Sequence, residues 1–273
     1  MFNLASLYKP LTAQVSTFEG CLPCVPLKPY IANYWGTEDV SREELDFNPL
    51  LIIPDTCMDV IFNINHTTGV ISGELCGMGE IAITVTPVRT TDIVSCFAIR
   101  FYFWSIHFYS DFHLRDTVDN YNDADLYFKG WKTFFTEMLL STFTLQERIE
   151  KTGRFLMSKL DLSCCNNNVM NALYHILRNH GSTSVKDVCE YACTSQRQLE
   201  RLFQEYIGTT VKKTANLVRY QNVWRDVVFQ ERFDVQDAVL KYGYTDQAHL
   251  INSFKSYHTM SPLEARQKIR GHR

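Results

Sequence analysis

SVKDVCEYACTSQRQLERLFQEYIGTT, residues 184–210, can be laid on DVQDAVLKYGYTDQAHLINSFKSYHTMS, residues 234–261. Val185, Val188 and Cys189 fall on Val235, Ala238 and Val239 at an offset of fifty. Leu199, Phe203, Tyr206 and Thr210 fall on Leu250, Phe254, Tyr257 and Ser261 at fifty-one, so one residue has been added at the turn. Each copy reads as a short helix, a tight turn and a longer helix opened by a hydroxyl cap, Thr194 or Ser195 in the first and Thr245 in the second. The chain therefore carries a helix-turn-helix twice, over 184–207 and 234–258.

The longer helices have the two faces that groove insertion needs. In the first copy Leu199, Leu202, Phe203 and Tyr206 form the buried side. Arg197, Glu200, Arg201 and Gln204, spaced by three and four, form the other, with Gln196 beside them. Two arginines one turn apart can reach guanine edges and phosphates. In the second copy Leu250, Phe254 and Tyr257 face inward, and Gln247, His249, Asn252 and Lys255 lie outward. The second face carries less fixed charge, so base reading is expected mainly from Arg197 and Arg201. A solvated helix face is the plain alternative for either copy, but the duplication weighs against it.

Charge points to the same half. The 273 residues have a net charge of -3, but residues 1–165 hold 12 basic against 20 acidic side chains while residues 166–273 hold 15 against 10. A basic tail suits a polyanion such as double-stranded DNA. The chain is long enough for two domains, divided at the polar run 166–168. An apolar-plus-aromatic content of 45% excludes disordered and low-complexity classes. The greasiest stretch, 97–108, is interrupted by Arg100 and His107, so no membrane segment is expected. Nine cysteines without a paired framework fit reduced thiols in a cytoplasm.

The C-terminal hundred residues resemble the DNA-binding domain of AraC-type transcription regulators. The most diagnostic stretch is Gly243-Tyr244-Thr245-Asp246-Gln247 running through Phe254-Lys255 to Ser261-Pro262 and Arg266. A linker helix over 211–229 carries Arg219 where the family has its arginine. The resemblance implies seven helices, two recognition helices entering successive major-groove segments, and transcriptional regulation, often activation through RNA polymerase. Cys193 stands where the family's first turn has glycine, at a cost of about 1 kcal/mol if the backbone is left-handed there. Thr259 replaces a glycine of the second copy.

Before residue 110 the sequence is a series of short strand-like runs, 14–19, 50–53, 58–64, 69–72, 81–85 and 93–108, which read as an antiparallel sandwich or barrel ending near 121. Helical periodicity takes over in 122–162, with one stripe of Trp131, Phe134, Phe135, Met138 and Leu139 and another of Leu145, Ile149, Thr152, Leu156 and Leu160. The second stripe suits packing on the barrel or a partner helix in a homodimer. The expected class is thus α+β, with an effector or dimerisation domain at 1–165 and an all-α domain at 166–273.

Leu27-Lys28-Pro29-Tyr30-Ile31 with Tyr34-Trp35, then 54–62, is similar to the sensory domain of one branch of the same family, although Thr56 and Tyr102-Phe103-Trp104 depart from it where a ligand loop would lie. On a strand through 93–108, Arg100, Tyr102 and Trp104 share a face. Together with Trp35 and Asp59 they are the candidate effector-binding residues, offering aromatic walls around one charge to a small molecule. In the alternative, the aromatics are core and Arg100 pairs with a carboxylate such as Asp59.

Cys21 and Cys24 have dithiol spacing but no second pair, Cys164-Cys165 sits at the junction, and Cys189 falls at a core position. A thiol- or metal-responsive regulator is therefore the lesser reading, and a cysteine alkyl-acceptor fused to a DNA-binding module a lesser one still. No phosphate loop, G-x-S-x-G elbow, H-E-x-x-H pair or dinucleotide fingerprint is present, so no enzyme activity and no cofactor are expected.

Overall fold

The computed structural model describes residues 2–11, 21–41, 50–86, 91–115 and 117–271. A short helix α1 (Leu4–Leu7) precedes the strands β1 (Ile31–Ser41), β2 (Leu50–Ile52), β3 (Cys57–Asn65), β4 (Val70–Cys76), β5 (Ile83–Val85), β6 (Ile93–Tyr102) and β7 (Tyr121–Asp123). Two antiparallel sheets result, one ordered β1-β6-β3-β4-β7 and the other pairing β2 with β5. The run 14–19 lies outside the described residues.

Alternation explains the central strands. Met58, Val60, Phe62 and Ile64 of β3 pair with Phe101, Ile99, Phe97 and Ser95 of β6, so large apolar side chains stand together on one face. Helix α2 (Trp131–Leu140) covers that face, with Phe135 stacked on Phe62 at 4.2 Å between ring centroids. Helix α3 (Leu145–Lys159) follows and buries Thr152 and Leu156 of the expected stripe. It also buries Arg148, whose guanidinium donates to the Thr37 and Thr142 carbonyls, each at 3.2 Å.

The expected strand over 93–108 is corrected at its end. β6 stops at Tyr102, and the chain turns through Ser105 into a 3-10 turn over Ile106–Phe108. The Ser105 N–H donates to the Tyr102 carbonyl at 2.9 Å and its hydroxyl donates to the same carbonyl at 2.8 Å. An unbroken apolar run does not by itself distinguish a buried strand from a buried turn. Trp104 therefore does not continue the pleat face of Arg100.

Seven helices follow: α4 (Asn167–Arg178), α5 (Val185–Tyr191), α6 (Gln196–Tyr206), α7 (Val211–Phe229), α8 (Val235–Lys241), α9 (Gln247–His258) and α10 (Pro262–Gly271). α7 runs through their middle and buries Leu217, Val218, Tyr220, Val223, Trp224 and Val227. Its low amphipathicity follows from having neighbours on nearly every side.

The strands and the helices share a polar seam. The Gln221 amide of α7 accepts from the Leu11 N–H at 2.8 Å and donates to the Pro54 carbonyl at 2.9 Å. Glu80 accepts from the Thr209 hydroxyl at 3.2 Å and pairs with Lys213 at 2.8 Å. Arg225 donates to the Lys9 carbonyl at 2.7 Å.

Gly181 joins α4 to α5 with φ +76°, and a Cβ there would meet the Ala215 carbonyl oxygen and lie 2.6 Å from the Arg219 nitrogen. Gly181→Ala combines left-handed strain with overpacking against α7, and a loss of about 2–4 kcal/mol is expected in urea unfolding. A loss under about 1 kcal/mol would mean that the loop moves away without penalty.

Candidate nucleic-acid interface

Each helix-turn-helix is built by local chemistry. Ser184 and Asp187 form a reciprocal capping box on α5. The turn then passes through Cys193 at φ 50°, the left-handed conformation expected where glycine is missing. Ser195 is the cap of α6, its hydroxyl accepting from the Gln198 N–H at 3.3 Å. In the second copy Asp234 caps α8, and Gly243 makes the turn at φ 64°. Thr259 is left-handed too, at φ 64°.

The cap of α9 corrects the sequence reading. Asp246, not Thr245, accepts from the His249 N–H, at 2.7 Å, because a carboxylate at that position also meets the positive end of the helix dipole. Thr245 turns its hydroxyl to His249 Nδ1 at 3.3 Å instead.

Long polar side chains fix the second motif and α10 to α7. Arg219 donates to the Tyr242 carbonyl at 2.6 Å and lies 3.6 Å over the Tyr244 ring. The Tyr220 hydroxyl bonds His258 Nδ1 at 2.7 Å, and burial pushes the His258 imidazole down to about 4. Arg266 donates to the Val227, Gln230 and Glu231 carbonyls between 2.6 and 2.9 Å, which satisfies the open end of α7.

The candidate DNA-contacting residues divide by what they already hold. Gln196 and Arg197 are exposed on α6, and Asn252 and Lys255 on α9. Gln204 is half-buried. Glu200 accepts from the Val211 N–H at 3.2 Å, closing the start of α7. Gln247 donates to Gln236 at 2.9 Å, and His249 is engaged with Thr245 as described.

Arg201 pairs with Glu205 at 2.9 Å. Glu205, buried, also binds Arg115 at 2.6 Å, and its carbonyl accepts from the Leu114 N–H at 2.9 Å. Burial works against the Glu205 carboxylate, but Arg115 and Arg201 together hold it below its ordinary range. Glu205 was not singled out from sequence, although its spacing of four from Arg201 was there to read.

The candidate effector residues do not converge on one cavity. Arg100 pairs with Asp55 and, at 3.0 Å, with Asp59. Trp35 Nε1 donates to Asp59 at 2.9 Å. Burial pushes the Asp55 carboxyl up to about 6, with Arg100 opposing. A cavity of about 130 Å3 borders Asp55, Asp59 and Arg100. Tyr102 and Trp104 stack on each other at 4.4 Å, and Trp104 donates to the Pro29 carbonyl at 3.2 Å and packs on Tyr8.

Cys189 is buried, Cys193 and Cys24 are exposed, and Cys164 and Cys165 are half-buried, all as free thiols. Among the described residues no group of three His, Cys, Asp or Glu is placed to hold a metal ion. No described helix is long and apolar enough to cross a membrane.

Two family models match the chain. Residues 188–268 match a helix-turn-helix domain, and residues 19–123 match a domain of unknown function, DUF6597. An uncharacterized HTH-type transcriptional regulator of Haemophilus influenzae is 28% identical over 85 residues, which is 31% of this chain and 28% of the relative's own length. Among solved structures, an AraC-type regulator from Chromobacterium violaceum is 24% identical, covering 37% of this chain and 90% of that one with a TM-score of 0.34. ToxT from Vibrio cholerae is 10% identical, covering 86% of this chain and 98% of that one with a TM-score of 0.42. With two capped helix-turn-helix motifs joined through α7 and the matched model running across both, residues 188–268 form a helix-turn-helix domain.

Proposed function

We propose that the chain is a sequence-specific regulator of transcription that binds double-stranded DNA through its two helix-turn-helix motifs. In this reading residues 166–273 form the DNA-binding domain and residues 1–165 the sensory or dimerisation domain. α6 and α9 enter successive major-groove segments, with Arg197 and Arg201 reading bases and Lys255 meeting phosphate. The supporting observation is that both motifs are held on α7: Glu200 of α6 accepts from the Val211 N–H at its start, and Arg219 and Tyr220 along it bond the second motif, so a single chain presents two recognition helices at a set spacing. Activation would come from contact with RNA polymerase in the cytoplasm. Control would come from a small molecule or a second copy engaging the front half, which contacts the recognition helix through Leu114 and Arg115.

Selection from a random duplex library by the full-length protein tests this. The expected product is a two-block sequence with the blocks about one helical turn apart. Lys255→Ala is expected to weaken all duplexes alike and to lower the salt slope by about one, whereas Arg197→Ala relaxes preference within one block. No enrichment at low salt would remove the proposal.

A further inference from the structure

The basic stripe of α6 is continued by a residue from the front half. One turn beyond Arg201 stands Glu205, which is buried, and Arg115 pairs with it at 2.6 Å from the opposite side to Arg201, which pairs at 2.9 Å. Although both arginines hold a buried carboxylate, their side chains remain about half exposed, 53% for Arg115 and 51% for Arg201. Two guanidinium groups from different halves of the chain thus reach the surface side by side at the end of the first recognition helix.

Main-chain contacts set where Arg115 stands. The Leu114 N–H donates to the Glu205 carbonyl at 2.9 Å, and the Thr117 hydroxyl donates to the Leu114 carbonyl at 2.8 Å. Gly208, at φ +85°, lets the turn after α6 close on the same segment, since a Cβ there would lie 2.6 Å from the Leu114 carbonyl oxygen and 2.5 Å from the Thr117 hydroxyl oxygen. The segment is therefore seated on α6 by its backbone, and the Arg115 side chain is carried there at a fixed place.

Neutralising Glu205 does not call for a second cation. Arg201 already donates to both of its carboxylate oxygens, at 2.9 and 3.0 Å, so Arg115 leaves these three groups with one surplus positive charge. A guanidinium has five N–H donors in a planar fork, and Arg115 commits only one nitrogen to Glu205. Its remaining donors suit an oxyanion outside the protein. Position selects that anion: α6 rises about 12 Å from Arg197 to Glu205, about the width of the major groove. With Arg197 at base edges, the Glu205 end of the helix stands at the edge of the groove, where the phosphates run.

We infer that Arg115 of the front half bonds a backbone phosphate at the edge of the groove segment that α6 enters, so that both halves of the chain hold the duplex. The inference rests on the reading of α6 as a recognition helix. Such a contact adds affinity and salt dependence without reading sequence. It also gives the front half a direct means of control, because any shift of residues 114–117 on α6 alters the hold on DNA by one phosphate.

Duplex binding by the full-length protein over a salt series tests it. Arg115→Ala is expected to lower the salt slope by about one and to weaken selected and scrambled duplexes alike, about five- to tenfold at fixed salt, whereas Arg115→Lys keeps the slope. Arg115→Ala stays folded, because Glu205 retains its bonds to Arg201. The comparison is repeated on Glu205→Gln, where charge no longer holds Arg201, and the slope should again fall by about one. Replacing single phosphates of the selected duplex by uncharged methylphosphonates should reveal one position that weakens the parent by the same factor and costs Arg115→Ala nothing further. An unchanged slope, tighter binding by Arg115→Ala, or no methylphosphonate position at which the two losses overlap would each overturn the inference and leave the DNA-binding reading standing. A parent that binds no duplex at low salt would remove that reading and this inference with it.

Discussion

Arg100→Met is expected to destabilise the protein by about 3–5 kcal/mol at neutral pH, because it leaves the Asp55 and Asp59 carboxylates without their shared cation. The strand register makes the cluster: Asp59 of β3 stands directly opposite Arg100 of β6. One guanidinium serves two carboxylates, so the cluster keeps one surplus negative charge. Burial first, and the neighbouring Asp59 charge after it, hold the Asp55 carboxyl up to about 6 even with Arg100 present.

The penalty should depend on pH in a set direction. A carboxyl whose folded pKa is raised contributes stability below its unfolded pKa and loses it as pH rises through the folded value. Removing Arg100 raises the folded value further. The deficit of Arg100→Met against the parent should therefore be smallest near pH 4 and grow toward pH 7, as read from urea midpoints across that window. A deficit below about 1 kcal/mol, or one that does not change with pH, would mean the cluster is not the ionic anchor that its geometry describes.

The second large effect is expected on DNA discrimination. Arg201→Ala should reduce the ratio of selected to scrambled duplex affinity by about 10- to 100-fold, the worth of one good base contact. Arg201 is not free to make that contact without competition, since Glu205 holds it at 2.9 Å. Glu205→Gln removes the competing charge and should tighten duplex binding severalfold by fluorescence anisotropy at fixed salt, provided Arg201 is present. The double variant Arg201→Ala with Glu205→Gln should show no such gain. Tightening of the same size in the double variant would assign the effect to net charge rather than to the release of Arg201.

Much of the helical half is legible in sequence because its determinants are local. The repeat, the caps and the spacing of Leu199, Leu202 and Phe203 all operate within a turn or two of helix, and the two motifs and α7 lie where they were expected. Arg219 was legible through family resemblance, while its role, bonding the Tyr242 carbonyl, depends on a contact twenty-three residues away.

The front half was less legible because its determinants are long-range. β1 is not evident as a strand because residues 31–41, IANYWGTEDVS, do not alternate apolar and polar side chains, and its pairing with β6 is irregular between Ile31 and Asn33. Tyr102 and Trp104 were grouped with Arg100 by period-two counting, which loses meaning once the backbone turns at Ser105. Asp55 and Glu205, each central to an ionic cluster, are ordinary acidic residues in sequence and gain their roles from partners 45 and 90 positions away.

Gln221 makes the helical half a poor candidate for modular exchange. Its amide spends one end on the backbone of the first dozen residues and the other on the loop before β3, deep enough that water cannot replace either partner cheaply. A chimera joining residues 166–273 to a foreign sensor would inherit a glutamine cut for a joint that is no longer there. Substituting an apolar residue of similar size at that one position is the change a designer of such hybrids would have to make first.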